Sequence, residues 1–176
     1  MYNIPHRETP VTERSADIAA VFAPHDHQHC STRALDEAEA RLAATGARMT
    51  PVRRRTLEIL LESHRALGAY EVLDRLAAEG FGRQPPVVYR ALEFLVTHGL
   101  AHRLQRLNAF AACLHPGDDH SPAFLICRIC DRVAEAKAAP IREVLTSLAA
   151  EGGFVVERAT IEALGLCATC AGAERP

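Results

Sequence analysis

Four of the six cysteines fall in two Cys-x-x-Cys pairs, Cys127 with Cys130 and Cys167 with Cys170. Two such pairs supply four thiolates, the donor set that closes a tetrahedral Zn²⁺ site and leaves no position for water, so the expected role is structural. The segment between the pairs is longer than in a compact zinc ribbon, so metal bound there would tie together the ends of a whole strand-helix-strand unit. Reactive thiols are the competing reading. They would require a Cys-x-x-Cys that opens a helix in a βαβ unit, and that pattern is not expected here.

A looser constellation is His102, Cys113, His120 and Glu135. Mixed nitrogen, sulfur and oxygen donors also suit tetrahedral zinc, and a thiolate among imidazoles disfavours magnesium or manganese. His115 and Asp119 are alternative members of this set. Its residues come from separate stretches of chain, so metal bound there would fix how those stretches sit. An N-terminal tract, His25-Asp26-His27-Gln28-His29-Cys30, also carries metal-ligand types, with nothing in it to set their geometry.

The net charge of −2 conceals an asymmetry. Between Gly46 and Arg106 ten arginines face six acids, a net +4, while the flanking segments are each net −3. A basic segment within an acidic chain suits a polyanion partner.

The elements that must position these residues follow from caps and periodicity. Residues 1–30 have scattered prolines and no sustained period, and read as a flexible tail. Ser31 can cap a helix to about Thr45, ended by Gly46, and Thr50-Pro51 is a cap followed by proline at the first helical position. That second helix turns Leu57, Leu60 and Leu61 inward and Arg54, Glu58 and Glu62 outward. A third helix runs from about Ala69 to Glu79, and a fourth begins near Pro86 with Val88, Ala91, Leu92 and Leu95 on one face. Two short β runs follow, Ala101 to Gln105 and Ala109 to Cys113. Helices followed by a hairpin describe a winged helix-turn-helix over residues 31–115, with Arg90 poised for a guanine edge or a phosphate and Arg53, Arg54 and Arg55 for the DNA backbone.

Past Gly117 the period changes. Strands are expected at Phe124 to Ile129, Val133 to Glu135 and Phe154 to Glu162, with a helix from Ile141 to Ala150, so residues 120–172 form a small zinc-stapled unit. The fold class is α+β: an N-terminal winged helix-turn-helix domain followed by a small α/β domain. No apolar run approaches the ~20 residues of a membrane span, and the first residues lack a secretory pattern. A cytoplasmic protein with reduced thiols is expected. There is no His-Glu-x-x-His, Gly-x-Ser-x-Gly or glycine-rich phosphate loop, so no enzyme is expected.

Five stretches together carry a resemblance: Thr50-Pro51-Val-Arg-Arg, Ala69-Tyr70-Glu-Val-Leu, Pro85-Pro86-Val-Val-Tyr89-Arg90-Ala-Leu-Glu-Phe-Leu, Gly99-Leu-Ala-His102 and Phe124-Leu-Ile-Cys127-x-x-Cys130. The chain resembles the ferric uptake regulator family, and most of all its zinc uptake regulator branch, over roughly residues 31–172. The resemblance implies a homodimer with an N-terminal winged-helix DNA-binding domain and a C-terminal α/β dimerisation domain, repressing zinc-uptake genes when zinc is bound. It implies two zinc ions per chain: a structural ion on Cys127, Cys130, Cys167 and Cys170, and a regulatory ion on His102, Cys113, His120 and Glu135. It also places Tyr70 and Arg90 where such regulators contact bases of an operator duplex.

The chain departs from the family pattern at Val87, where Thr or Ser is usual. Gly117-Asp118-Asp119-His120 stands where the iron branch carries a His-His-Asp-His run, and Cys113 has no counterpart there, which favours zinc over iron. His64 is the candidate for a further family site in the loop before the helix that holds Tyr70. The alternative functions are an iron- or peroxide-responsive regulator of the same family, and a zinc-stapled interaction module that binds no DNA.

Overall fold

The computed structural model describes residues 18, 21–23, 27–114, 122–157 and 159–173. The N-terminal part is helical: α1 His27–Thr45, α2 Pro51–Leu61, α3 Ala69–Ala78 and α4 Pro85–Thr97. A hairpin of β1 Ala101–Leu104 and β2 Ala109–Ala112 follows. The C-terminal part comprises β3 Pro122–Cys127, β4 Val133–Lys137, α5 Ala139–Glu151, β5 Ile161–Gly165 and α6 Ala168–Ala173. This is a winged helix followed by a small α/β unit. Among the described residues no helix is long and apolar enough to cross a membrane.

Local chemistry accounts for most boundaries. Thr50 accepts the amide of Arg53 at 3.4 Å and Pro51 opens α2, while Glu71 reaches back to the amide of Gly68 at 2.8 Å and caps α3. Gly80 and Gly99 end their helices at positive φ (86° and 67°), and the next amides, of Phe81 and Leu100, return to the carbonyls of Leu76 and Leu95. That closure needs the left-handed conformation that glycine adopts without a Cβ clash.

Three expectations are corrected. The first helix begins at His27 rather than Ser31. Nothing between His27 and Ser31 breaks a helix, and serine is tolerated in a first turn as well as at a cap. His25 and Asp26 lie outside the described residues, as do residues 1–17. The last strand is Ile161–Gly165, not Phe154 to Glu162. Phe154 and Val155 have strand-type side chains but are 68% and 80% exposed. The strand's position is set instead by parallel pairing with β3, from Ala123↔Ile161 to Cys127↔Gly165. Finally, α6 opens directly after Cys167, where no helix was expected.

Two cores hold the chain. The first gathers Leu42 of α1, Leu57 and Leu60 of α2, Val72 and Leu76 of α3, and Leu92 and Leu95 of α4, with Phe110 of the wing. The second joins Leu104 of the wing to Phe124, Ile126 and Val133 of the C-terminal sheet. Leu104 is fully buried there, so the wing and the sheet share apolar surface. The connector between α2 and α3 adds polar ties: the Val133 amide donates to the His64 carbonyl at 2.7 Å, Arg65 bridges to Arg132, and Leu67 pairs with Phe110.

Candidate metal centres and nucleic-acid surface

The sheet order β4-β3-β5 brings the four cysteines of the two pairs together. Cys127 ends β3, and the turn after it closes through Asp131 at φ 56°, with the Cys127 amide donating to the Arg132 carbonyl at 2.9 Å. Because β5 runs parallel to β3 and ends level with it, the chain delivers Cys167 beside Cys127, where the Cys167 amide donates to the Cys127 sulfur at 3.4 Å. The four sulfurs lie within 4.8 Å of one another, and Cys130 and Cys167 are 4.0 Å apart. Zinc–sulfur bonds of about 2.3 Å in a tetrahedron require sulfurs about 3.8 Å apart, so the spacing fits.

Electrostatics point the same way. Burial opposes ionisation of Cys127, but the amides of Cys167, Cys130 and Ile129 aimed at its sulfur outweigh that and bring its pKa down to about 6. Cys170 is pushed up to about 12, first by its hydrogen bond with Cys167 and then by burial, and burial also raises Cys130. Four crowded thiols that cannot all ionise beside one another match the needs of a divalent cation.

The second cluster lies between the wing and the sheet. His102 is on β1, Cys113 follows β2, and Glu135 is on β4. His102 Nε2 is 3.3 Å from Glu135 Oε1, and Cys113 Sγ is 3.9 Å from the same oxygen. Glu135 Oε2 accepts the amide of Leu114 at 3.2 Å. The carboxylate is thereby aimed by the backbone that follows the wing, and all three ligand atoms lie within 4.8 Å of one another. A nitrogen, a thiol sulfur and an oxygen at these separations suit a tetrahedral ion with one position left. His120, the fourth expected ligand, lies outside the described residues, as do His115 and Asp119. Among the described residues these are the two places where metal-ligand atoms gather, and His64 belongs to neither, although it lines the same hollow as Glu135.

On the helix-turn-helix, Tyr70 at the start of α3 and Arg90 on α4 are exposed. Arg53 lies beside Arg90: both line a hollow with Thr50 and Val87, and the Arg53 guanidinium stacks 3.6 Å over the ring of Phe94. Arg54 pairs with Glu39 and, at 2.9 Å, with Glu58. Arg55 turns elsewhere, bonding Glu79 at 2.6 Å, Glu62 at 2.9 Å and Glu58 at 3.2 Å, so it staples α2 to the end of α3. The three neighbouring arginines thus occupy three different environments. Tyr89 was given no role from the sequence, yet it is 47% exposed next to Arg90. Its signal was a large aromatic on the polar face of an amphipathic helix.

The fold and these clusters define a winged-helix protein with two candidate metal centres, one closed within the sheet and one between sheet and wing. Residues 44–164 match the model of the ferric uptake regulator family, and the chain belongs to that family. It is 36% identical over 141 residues to the zinc uptake regulation protein of Escherichia coli (strain K12), covering 80% of this chain and 82% of that one. Among solved structures it is similar to a zinc uptake regulator complexed with zinc and DNA, with a TM-score of 0.77 and 34% identity over 82% of this chain and 97% of that chain. It is also similar to holo XcZur, with a TM-score of 0.71 and 37% identity over 78% and 96%.

Proposed function

We propose that this chain is a zinc-responsive transcriptional repressor that binds inverted-repeat operators of zinc-uptake genes when zinc-loaded. The observation that carries the reading is the position of the His102, Cys113 and Glu135 cluster, with two ligands on the wing and its continuation and one on the sheet. An ion there supplies bonds that hold the wing at one angle to the sheet. The names of the relatives, a zinc uptake regulation protein and a regulator bound to zinc and DNA, support zinc as the ion and a DNA duplex as the partner.

In this reading Cys127, Cys130, Cys167 and Cys170 hold a structural zinc, and His102, Cys113, His120 and Glu135 a regulatory one. Residues 31–115 are the DNA-binding domain, with the first turn of α1 added to it, and residues 120–172 the dimerisation domain. Tyr70 and Arg90 read bases, and Arg53 and Arg54 hold the backbone. Arg55 acts through them by fixing α2 against α3. The protein works in the cytoplasm, where thiols stay reduced.

Its partner in the dimer is a second copy of itself. α5 buries none of its residues and exposes Ile141, Val144, Leu145 and Leu148, an apolar stripe at helical spacing that needs a cover. Two-fold symmetry then sets the recognition helices about one DNA turn apart, ~34 Å.

The test is a zinc titration of duplex binding, using an inverted-repeat duplex that the zinc-loaded protein selects from a random pool. Binding should rise about a hundredfold with the second zinc, a coupling of about 2.7 kcal/mol that DNA must return to the metal site. Iron replacing zinc in that role would support an iron-responsive regulator. Selection of no duplex would leave a zinc-stapled interaction module.

A further inference from the structure

Glu162 lies on β5 and belongs to neither metal cluster, and each oxygen of its carboxylate accepts a backbone amide. Oε1 accepts the amide of Gln105 at 2.7 Å and Oε2 the amide of Arg106 at 3.0 Å. These are the first two amides of the turn between β1 and β2, the tip of the wing. Two charge-assisted bonds from one carboxylate to neighbouring backbone amides fix direction as well as distance.

The register gives this contact its meaning. Phe124 of the central strand pairs with Glu135 on β4 and with Glu162 on β5. Residues paired in this way project from the same face of a sheet. The two carboxylates therefore flank Phe124 on one face, and the wing lies across it: the His102 ring is 5.2 Å from the Phe124 ring, and Leu104 is buried against it. Glu135 takes the base of the hairpin at His102, Cys113 and Leu114, and Glu162 takes the tip.

We propose that Glu162 is a positioning residue for DNA binding, the permanent half of a two-carboxylate clamp on the wing whose other half, Glu135, works through the metal cluster. The proposal rests on the zinc-responsive reading above. With the tip held through the Gln105 and Arg106 amides, metal at the base adds a second point of attachment for the wing. Without Glu162, ligand bonds at the base leave the tip, with Arg106 on it, free to pivot about Leu104. The units stay docked when Glu162 is removed, because Arg65 still pairs with Asp131 at 3.3 Å and bridges to Arg132, and the shared core remains.

The experiment compares full-length wild type with Glu162→Ala, zinc-loaded, by amide hydrogen exchange and by affinity for the selected inverted-repeat duplex. The variant should keep two zinc ions per chain, exchange the Gln105 and Arg106 amides at least tenfold faster, and bind the duplex at least tenfold more weakly. Glu162→Gln keeps one acceptor oxygen and should fall between the two on both measures. Unchanged exchange would show that Glu162 does not hold these amides, and faster exchange with unchanged affinity would show that holding them does not position the wing. Either result overturns the proposal. Should Glu162→Ala lose its cysteine-bound zinc, Glu162→Gln is judged alone, and wild-type values on both measures overturn the clamp. Wild type that selects no duplex sinks the zinc-responsive reading and the wing's role with it, whereas normal wild-type binding with unaltered variants sinks the clamp alone.

Discussion

Glu135 and Glu162 stand at the same level of the C-terminal sheet, one on each side of Phe124, and both reach the wing. One meets a histidine and a cysteine, the other, among the described residues, two backbone amides. That difference in partner surrounds one carboxylate with candidate metal donors and the other with backbone N–H groups.

Cys113→Ser should remove the second zinc and leave the first. Cys113 is buried at the end of the wing, and serine nearly conserves its shape while discarding the thiolate. The variant should remain folded and bind one zinc per chain, and its duplex affinity should stay at the metal-free level however much zinc is added. A metal count of two with a normal zinc response would refute the separation into regulatory and structural centres.

Cys130→Ser should act on the fold instead. The cysteine cluster joins the turn after β3 to the end of β5, and binding energy at a closed zinc site is folding energy, of order 10 kcal/mol in small domains. Thermal unfolding followed by circular dichroism should show the C-terminal unit melting early or absent. A soluble variant with two zincs and an unchanged Tm would mean that the cluster is not a staple.

Arg90→Ala and Arg55→Ala should fail in different ways. Arg90 is exposed on α4, and its loss should weaken specific duplex binding by about 1–3 kcal/mol, roughly 5- to 150-fold, at any zinc level. Arg55→Ala should lower stability first. Its hydrogen bond holds Glu79 below the ordinary carboxylate range, so the folded state binds this proton less readily than the unfolded state. The pair therefore stabilises the fold at pH values above the ordinary glutamate value of about 4.3, and that contribution is lost as the pH falls through the lowered value. Urea midpoints of wild type and Arg55→Ala should differ at pH 7 and converge toward pH 3. An equal gap at both would remove Glu79 as the partner that matters.

Leu148→Glu should separate the dimer without unfolding the chain. Leu148 is 59% exposed on α5, so a charge there costs the lone chain little, but within an apolar interface it should weaken association by at least about 2 kcal/mol. Sedimentation should show monomers at concentrations where wild type is dimeric, and duplex affinity should fall with them. A dimeric variant would place the interface elsewhere.

The winged helix was largely legible in the residues, because its signals are local. Thr50-Pro51, Gly80, Gly99 and the leucine spacing of α2 each act within one or two turns of chain, where capping and periodicity decide the outcome. The cysteine pairs were legible for the same reason, since two ligands three residues apart carry most of their geometry with them. The last strand was not. Phe154 and Val155 have the composition of a strand but pair with no strand among the described residues, while Ile161–Gly165 is drawn in by its pairing with β3.

By itself, then, the sequence determined the four paired thiolates and the ion that they suit, whereas the mixed set containing one cysteine took its membership from the family resemblance. Only the tertiary structure decided what the isolated residues do. Arg53, Arg54 and Arg55 are consecutive in the chain, yet one stacks on a ring, one pairs with Glu39 of α1 and Glu58 of its own helix, and one crosses to the end of α3. Glu162 carried no motif at all. Its role arises from strand register, which is set by hydrogen bonds between segments tens of residues apart and leaves no periodic trace in either.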